Sequence, residues 1–136
     1  MSAVQELICT EKNGTLSFGN HTLAQKEKQE GYEFDGDLYK VKTSQAMTKL
    51  ERDGIFVYES VPGTSVKEFT FTQSGVKFKV EGAEDAQITI GLADETEYEV
   101  LINQKSIGRM KTNLGGKLNV GIELANEGLV DVEIIG

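Results

Sequence analysis

Residues 96–135 contain three runs in which apolar and polar residues alternate. Because successive side chains of a strand point to opposite faces of a sheet, a period of two predicts strands with one buried face. A further short strand is predicted over 108–112, and the glycines of 113–116 can take the positive φ that a tight hairpin demands. The sequence therefore predicts a meander of consecutive antiparallel strands. Its buried face is expected to consist of Tyr98, Val100, Ile102, Leu118, Val120, Ile122, Leu124, Val130, Val132 and Ile134.

The same alternation begins upstream of this region. Residues 69–80 are predicted to form a hairpin that turns at Ser74 and Gly75, and residues 86–92 a further strand. Val, Ile, Thr, Phe and Tyr dominate these runs, and such residues favour a pleated, half-buried surface. About seven strands at short spacing over 66–135 are typical of a small β-sandwich. We therefore expect an all-β protein, built as an antiparallel β-sandwich of hairpins and meanders.

The N-terminal half shows a weaker form of this pattern. Residues 3–10 are predicted to form a strand, and Asn13-Gly14 is the strongest short hairpin signal, because this pair accepts the positive φ angles of a type I′ turn. Residues 19–31 are polar and are predicted to form a surface loop. A turn is expected at 35–37. Residues 55–58 are apolar on both faces, which predicts a central strand that is covered on both sides.

Two features of the organisation stay open at the level of sequence. Residues 44–52 fit either a short helix capped by Ser44 or a strand, and the neighbouring strands favour the strand. The only proline, Pro62, marks the best boundary between an N-terminal β lobe (residues 1–62) and a C-terminal small β-sandwich (residues 63–136). We expect the two parts to pack as one compact unit, either as a single sandwich or as two small β lobes.

Charge and composition limit the partners. The net charge of −8 disfavours nucleic acids and anionic membranes, which need cations to neutralise phosphate. The sequence has neither a run approaching the ~20 apolar residues that span a membrane nor an apolar signal segment after a basic start. Cys9 is the single cysteine, so an intramolecular disulfide is excluded. These observations predict no nucleic-acid partner, no membrane insertion and a cytoplasmic location.

Acidic residues provide a candidate metal site. Residues 81–99 contain several carboxylates and no Lys or Arg, and the loops at one end of a sandwich can bring such clusters together. Calcium prefers roughly six to eight hard oxygen ligands. The candidate calcium ligands are Asp35, Asp37, Glu84, Asp85, Asp94 and Glu95. An acidic, solubilising rim is the alternative.

Aromatic residues provide a second candidate site. A carbohydrate- or peptide-binding face is expected if the rings of four residues point outward, namely Tyr32, Phe34, Tyr39 and Tyr58. The alternative is that these rings belong to the core, where aromatic side chains bury a large apolar area.

Catalytic chemistry has little support in the sequence. Cys9 and His21 are each the only residue of their type, which excludes a multi-ligand zinc cluster within one chain. The presence of both residues is compatible with a Cys–His nucleophilic dyad, although their spacing does not indicate that they are close together. An inert, buried thiol is the alternative. Glycoside hydrolysis needs two carboxyl groups roughly 5 to 10 Å apart, whereas the acids of this chain mostly alternate onto solvent faces. We therefore predict that the protein is not an enzyme.

Two resemblances bear on function. The second half carries the pattern Tyr98, Val100, Ile102, Asn103, Gly108, Thr112, Gly116, Leu118, Val120 and Val132. This pattern resembles the small accessory β-sandwich modules of polysaccharide-degrading enzymes, which implies carbohydrate binding. Residues 36–43, 56–64 and 110–118 are similar to a group of short uncharacterised bacterial all-β proteins, some of which are labelled endosialidase. That label implies a glycan-active enzyme, but neither resemblance assigns a catalytic residue to this chain.

The favoured interpretation is a non-enzymatic structural or interaction protein that forms a homo-oligomer through its sheet edges. The N-terminal run, residues 3–10, has little charge and can add to an open sheet, either its own or a neighbour's. A carbohydrate-binding accessory module is the alternative, with a carbohydrate or protein ligand, and a glycan-active enzyme comes third. No cofactor is expected apart from calcium.

Overall fold

The computed structural model describes residues 6–136, which form thirteen β-strands and no helix. The prediction of an all-β, antiparallel protein is therefore confirmed. None of the described residues belongs to a helix that is long and apolar enough to cross a membrane. The strands are β1 (Ile8–Thr10), β2 (Leu16–Phe18), β3 (Glu27–Phe34), β4 (Asp37–Thr43), β5 (Thr48–Arg52), β6 (Ile55–Val61), β7 (Ser65–Phe71), β8 (Gly75–Glu81), β9 (Ala86–Gly91), β10 (Glu97–Ile102), β11 (Lys105–Lys111), β12 (Lys117–Ile122) and β13 (Val130–Ile135).

The strands form two sheets that pack around one core. The seven-stranded sheet has the order β1-β2-β7-β8-β13-β10-β11, and the six-stranded sheet has the order β12-β9-β6-β5-β4-β3. Each sheet contains strands from both sides of Pro62, so the predicted lobes of residues 1–62 and 63–136 do not correspond to separate sheets. Pro62 lies instead in the crossover from β6 to β7.

The predicted meander over 96–135 is wrong in its connections, although its strands are present and nearly all of its predicted core residues are buried. β10 and β11 form a hairpin, β12 pairs with β9 in the other sheet, and β13 returns to lie between β8 and β10. Residues 113–116 are therefore a crossover, in which the Asn113 side-chain oxygen accepts hydrogen bonds from the N–H groups of Gly115 and Lys117. Alternation specifies the buried face of a strand but not the strand that lies alongside it.

Tight turns join the N-terminal strands at the predicted places. β1 and β2 pair across residues 11–15, but only Gly14 takes a positive φ there (84°), so this loop is not the predicted type I′ turn. Residues 35–36 and 53–54 each have the two positive φ angles of a type I′ turn, and they join β3 to β4 and β5 to β6. Residues 3–5 of the first predicted strand lie outside the described residues.

β3 contradicts the prediction of a loop over 19–31, since only residues 19–26 lack strand structure. It pairs with β4 on one side and forms an edge of its sheet on the other. An edge strand with a wet face needs few apolar residues, so its polar sequence carries no strand signal. The ambiguous segment 44–52 ends in a strand, β5, which follows a turn over 44–47.

β6 confirms only half of the prediction for residues 55–58. The strand is central in its sheet, but it is not covered on both sides, because Ile55 and Val61 are 64% and 55% exposed. Val57 and Tyr58 are nevertheless both buried, and the pairing of β5 with β6 shifts its register at this point. Such a bulge lets two consecutive residues turn toward the core, which explains the apolar run.

Four aromatic rings form the centre of the core. Phe18, Tyr58, Phe69 and Phe78 are buried and come from four strands that belong to both sheets. The ring of Phe18 lies 5.2 Å from that of Tyr58 and 5.7 Å from that of Phe69, both edge to face. Such pairs bury a large apolar area and favour defined ring orientations. The rings therefore hold the two sheets in one relative position.

The crossover from β6 to β7 packs tightly against the turn over 44–47. Gly63 donates its N–H to the carbonyl oxygen of Gln45, at 2.9 Å. A Cβ added at Gly63 would overlap the carbonyl oxygen of Ser44. Glycine is therefore the residue that fits here without a backbone shift.

We predict that Gly63→Ala lowers the free energy of unfolding by about 3 kcal/mol, because the added methyl group must displace the backbone at Ser44. Urea unfolding followed by circular dichroism measures this change. Gly115→Ala is the control, since a Cβ at Gly115 would lie in ordinary contact, 3.5 Å from the Asn113 side chain. Its effect is expected to stay below about 1 kcal/mol. Equal effects of the two substitutions would show that the close packing of Gly63 against the Ser44 backbone does not contribute to stability.

Candidate functional site

Three loops meet at one end of the sandwich, termed the loop end. Gln45 joins them through its backbone: its N–H donates to the carbonyl oxygen of Leu23 at 2.7 Å, and its carbonyl oxygen accepts from the N–H of Gly63 at 2.9 Å. These bonds hold the loops in one arrangement. The loops comprise residues 19–26, 44–47 and 62–64.

A network of buried hydroxyl groups lies beneath these loops. The hydroxyl groups of Tyr58 and Ser60 lie 2.6 and 2.8 Å from Thr64 Oγ1. The Thr48 hydroxyl donates to the carbonyl oxygen of Thr64 (2.8 Å), accepts from its N–H (3.1 Å) and lies 2.8 Å from Thr43 Oγ1. Within residues 6–136, every buried side-chain N or O atom has a hydrogen-bond partner. Because an unpaired buried hydroxyl costs about 1–3 kcal/mol, each member of the network stabilises the others.

The network extends to the surface through Asn20 and Ser65. The Asn20 N–H donates to Thr43 Oγ1 at 2.9 Å, and its side-chain oxygen accepts from the N–H and the hydroxyl of Thr22 at 3.0 and 2.5 Å. The buried Ser65 hydroxyl oxygen accepts from the N–H of His21 (3.2 Å) and lies 2.7 Å from its Nδ1. The first loop is therefore fixed by both its backbone and its side chains.

A cleft of about 460 Å³, termed the loop-end cleft, opens between these loops and residues 83–84. This volume lies in the range of small-molecule sites. Glu84 provides the carboxylate of the lining, Pro62 and Ala83 provide apolar surface, and neither Lys nor Arg belongs to the described lining. The lining residues are His21, Thr22, Gln45, Pro62, Gly63, Ala83 and Glu84.

Burial raises the pKa of Tyr58 well above its ordinary value of 10.0. A tyrosine with a raised pKa releases its proton more readily in the unfolded chain, so its contribution to stability is complete below about pH 10 and is lost as the pH rises further.

We predict that Tyr58→Phe lowers the free energy of unfolding by about 1–2 kcal/mol at pH 7, because Thr64 loses a hydrogen-bond partner. The difference from the wild type is expected to shrink above pH 10. Urea unfolding at pH 7 and above pH 10 measures it, and a constant difference would contradict the burial of the phenol.

The predicted calcium ligands do not converge. Glu84 and Asp85 precede β9, whereas Asp94 and Glu95 follow it, so a strand of six residues, about 20 Å long, separates the two pairs. Residues 35–37 lie on the β3–β4 turn, at the far edge of the six-stranded sheet. Within residues 6–136, no group of three His, Cys, Asp or Glu side chains is placed to hold a metal ion. The expectation that these clusters share one end of the sandwich is therefore wrong, while calcium itself stays a prediction.

One carboxyl pair does form, between neighbouring hairpin turns. A hydrogen bond with Asp53 raises the pKa of Asp37. The pKa of Asp53 is lowered, because the N–H of Leu38 donates to Asp53 Oδ1 at 2.9 Å and because Asp53 bonds to Asp37. Carboxyl groups with divergent pKa values are typical of acid–base catalysis. These two are in hydrogen-bond contact, however, and lack the roughly 5 to 10 Å separation of a glycosidase pair.

The predicted aromatic face is not formed. Tyr58 and Tyr39 are 0% and 2% exposed, so they belong to the core. Tyr32 is half-buried, with its hydroxyl group 2.8 Å from Thr10 Oγ1, and Phe34 packs edge to face against Tyr39. The expectation of outward rings is wrong for Tyr39 and Tyr58 because they occupy core-facing positions of β4 and β6.

A second groove, of about 430 Å³, lies at the opposite end of the sandwich. Phe56 and Phe71 line it, and cations lie over both rings. Arg52 is 4.6 Å from the centroid of Phe71, and Lys117 is 4.6 Å from that of Phe56. The cations therefore occupy ring surface that a sugar would need for stacking.

Cys9 lies half-buried on β1. Burial and the nearby Glu11 carboxylate raise the pKa of its thiol, which lowers the fraction of reactive thiolate. The Nδ1 atom of His21 contacts Ser65 instead of Cys9. The described contacts thus contain no Cys–His dyad.

The two long sides of the sandwich differ. On one side, the bond between Thr10 and Tyr32 links β1 to β3. On the other, termed the open side, β11 and β12 are the outer strands of their sheets. All of β11 is exposed except Met110, so the six-stranded sheet does not cover it. Ile107 and Leu114 on this side are apolar and are 47% and 76% exposed.

Sequence reasoning missed the loop-end cleft. Its lining comes from four separate segments, and its polar residues match those of any surface loop. Thr and Ser residues near strand ends, at positions where alternation predicts burial, could have indicated the hydroxyl network beneath the loops. These residues are Thr43, Thr48, Ser60 and Thr64.

The chain matches no protein-family model, no curated protein and no solved structure. Function is therefore inferred from the geometry alone.

Proposed function

We propose that this protein is a non-enzymatic structural or interaction protein that self-associates through the open side of its sandwich. The observation that carries the proposal is β12, an edge strand that pairs with β9 without interruption over six residues and has Lys117 as its only charged residue. An edge strand presents N–H and C=O groups that can pair with a strand of another chain. The exposed Ile107 and Leu114 add apolar surface on the same side.

The other edges carry protective features. β1 has only three residues. The pairings of β3 and β11 each contain a register shift, and both strands are rich in charge. Bulges and charged residues are the usual means by which an edge strand avoids pairing with another chain. β12 has no register shift and only one charged residue, Lys117 at its first position, so it is the edge best suited to accept a strand from a second copy.

The hydrogen-bond pattern of β12 indicates which backbone groups are available. Leu92 donates its N–H to the carbonyl oxygen of Gly116 at 2.7 Å, so these opposed residues form a hydrogen-bonded pair. In an antiparallel ladder every second pair is hydrogen-bonded, which assigns Leu118 and Val120 to bonds with β9. The N–H and C=O groups of Asn119 consequently point away from β9, toward a partner.

The N-terminal run, residues 3–10, is a less suitable edge for association than β12. The described part of that run, β1, pairs with β2 of its own chain, and the Thr10–Tyr32 bond links it to β3. The alternative of a carbohydrate-binding module loses support, because Tyr39 and Tyr58 are buried. We also propose a cytoplasmic location, which the single free thiol of Cys9 supports.

We predict that Asn119→Pro weakens self-association at least about tenfold, equivalent to ~1.4 kcal/mol. Proline removes an N–H that points away from β9, so the ladder with β9 is retained while pairing with a second copy is blocked. Size exclusion with light scattering over a range of protein concentrations measures the effect. Asn119→Ala is the matched control, since it keeps the backbone N–H and is expected to associate like the wild type.

Glu33→Pro tests the opposite side of the sandwich. Residues 35–36 close a two-residue hairpin, so Phe34 bonds to Asp37 and the N–H of Glu33 points outward. This variant is expected to keep the wild-type mass distribution. A monomeric wild type at all concentrations would end the proposal, as would dissociation by Glu33→Pro with no effect of Asn119→Pro.

A further inference from the structure

The loop-end cleft has a donor and acceptor pattern that points to a ligand class. The Thr22 hydroxyl donates its proton to the Asn20 side chain at 2.5 Å, which leaves Thr22 Oγ1 as an acceptor. The Gln45 side-chain nitrogen donates to the carbonyl oxygen of Thr22 at 3.4 Å, which leaves Gln45 Oε1 as an acceptor. An ionised Glu84 carboxylate can only accept. Three side chains of the lining therefore offer acceptors.

We propose that the loop-end cleft binds a primary alkylammonium group. An ammonium group has three N–H donors and no acceptor, which matches the acceptors on Thr22, Gln45 and Glu84. Pro62 and Ala83 provide apolar surface against which the methylene stem of such a ligand can pack. The same chemistry occurs at the end of a lysine side chain and in a small diamine.

Charge favours this class over the others. Glu84 belongs to none of the described ion pairs, and neither Lys nor Arg is among the lining residues. The net charge of −8 attracts cations to the protein and repels anions. A charge-assisted hydrogen bond from an ammonium to Glu84 is stronger than a bond between neutral groups, so a neutral polyol gains less from this lining.

Hydrogen bonds fix the part of the cleft lining that comes from the first two loops. The Asn20 side chain holds Thr22, the Ser65 hydroxyl holds His21, and backbone bonds hold Gln45. Binding to such a site does not have to order the loops, which lowers the entropic cost. These bonds support a recognition role for the loop end that is separate from self-association on the open side.

The test is a titration of the full chain, followed by backbone amide shifts in NMR and by calorimetry. The probes are 1,5-diaminopentane, a free diamine, and a short acetylated peptide with one internal lysine; hexanoate and glucose are the controls. The amines are expected to shift amides of the three loops. Glu84→Gln is expected to weaken binding at least about tenfold. Glu81→Gln removes the same charge outside the lining and is expected to leave affinity unchanged.

Thermal unfolding of both variants shows whether they are folded. The proposal is overturned if neither amine shifts the loop amides at about 10 mM, if glucose or hexanoate binds as well, or if Glu84→Gln and Glu81→Gln bind equally. Binding of the diamine alone supports the proposal with a small-molecule ligand, and binding of the peptide alone supports it with a protein ligand. Neither result depends on the solution mass of the protein.

Discussion

The loop end depends on one requirement, that each buried hydroxyl group must have a partner. Tyr58 meets this requirement in two environments at once, because its ring packs against Phe18 and Phe78 while its hydroxyl group contacts Thr64. Thr64 in turn bonds to Thr48 through its backbone. The aromatic core and the three loops are therefore coupled through a few atoms, and the position of the loops follows from the packing of the sheets.

Much of the fold follows from the period of the sequence. Alternation predicted the strands from β7 to β13 and nearly all of their buried residues, because the core selects apolar side chains on one face. Alternation did not predict the pairing partners of β12 and β13, because those partners lie far away in the chain. It also failed for β3, since residues 27–34 meet solvent on the edge and outer face and are free to be polar. The local alternation of apolar and polar residues does not specify which strands pair, and it does not reveal solvent-exposed edge strands.

The candidate sites were harder to predict than the strands. Periodicity indicates that Tyr39, Val41 and Thr43 share a face, but the burial of that face depends on a second sheet that the local sequence does not describe. Glu84 looks like any other member of an acidic stretch until the folded chain places Gln45 and Pro62 around it. Such sites arise from long-range contacts, so their residues are ordinary in sequence and distinctive only in space.

The location of β13 determines when the fold can be completed during synthesis. Among the described strands, β13 alone joins β8 to β10 in the seven-stranded sheet. Until residues 130–135 leave the ribosome, the β10–β11 hairpin has no strand to join and β8 has an open edge. At about 5–20 residues per second, this interval lasts a few seconds after β10 has been made. During this interval β8 and β10 each have one edge without a partner, so translation speed over residues 103–135 is expected to bear on the yield of folded protein.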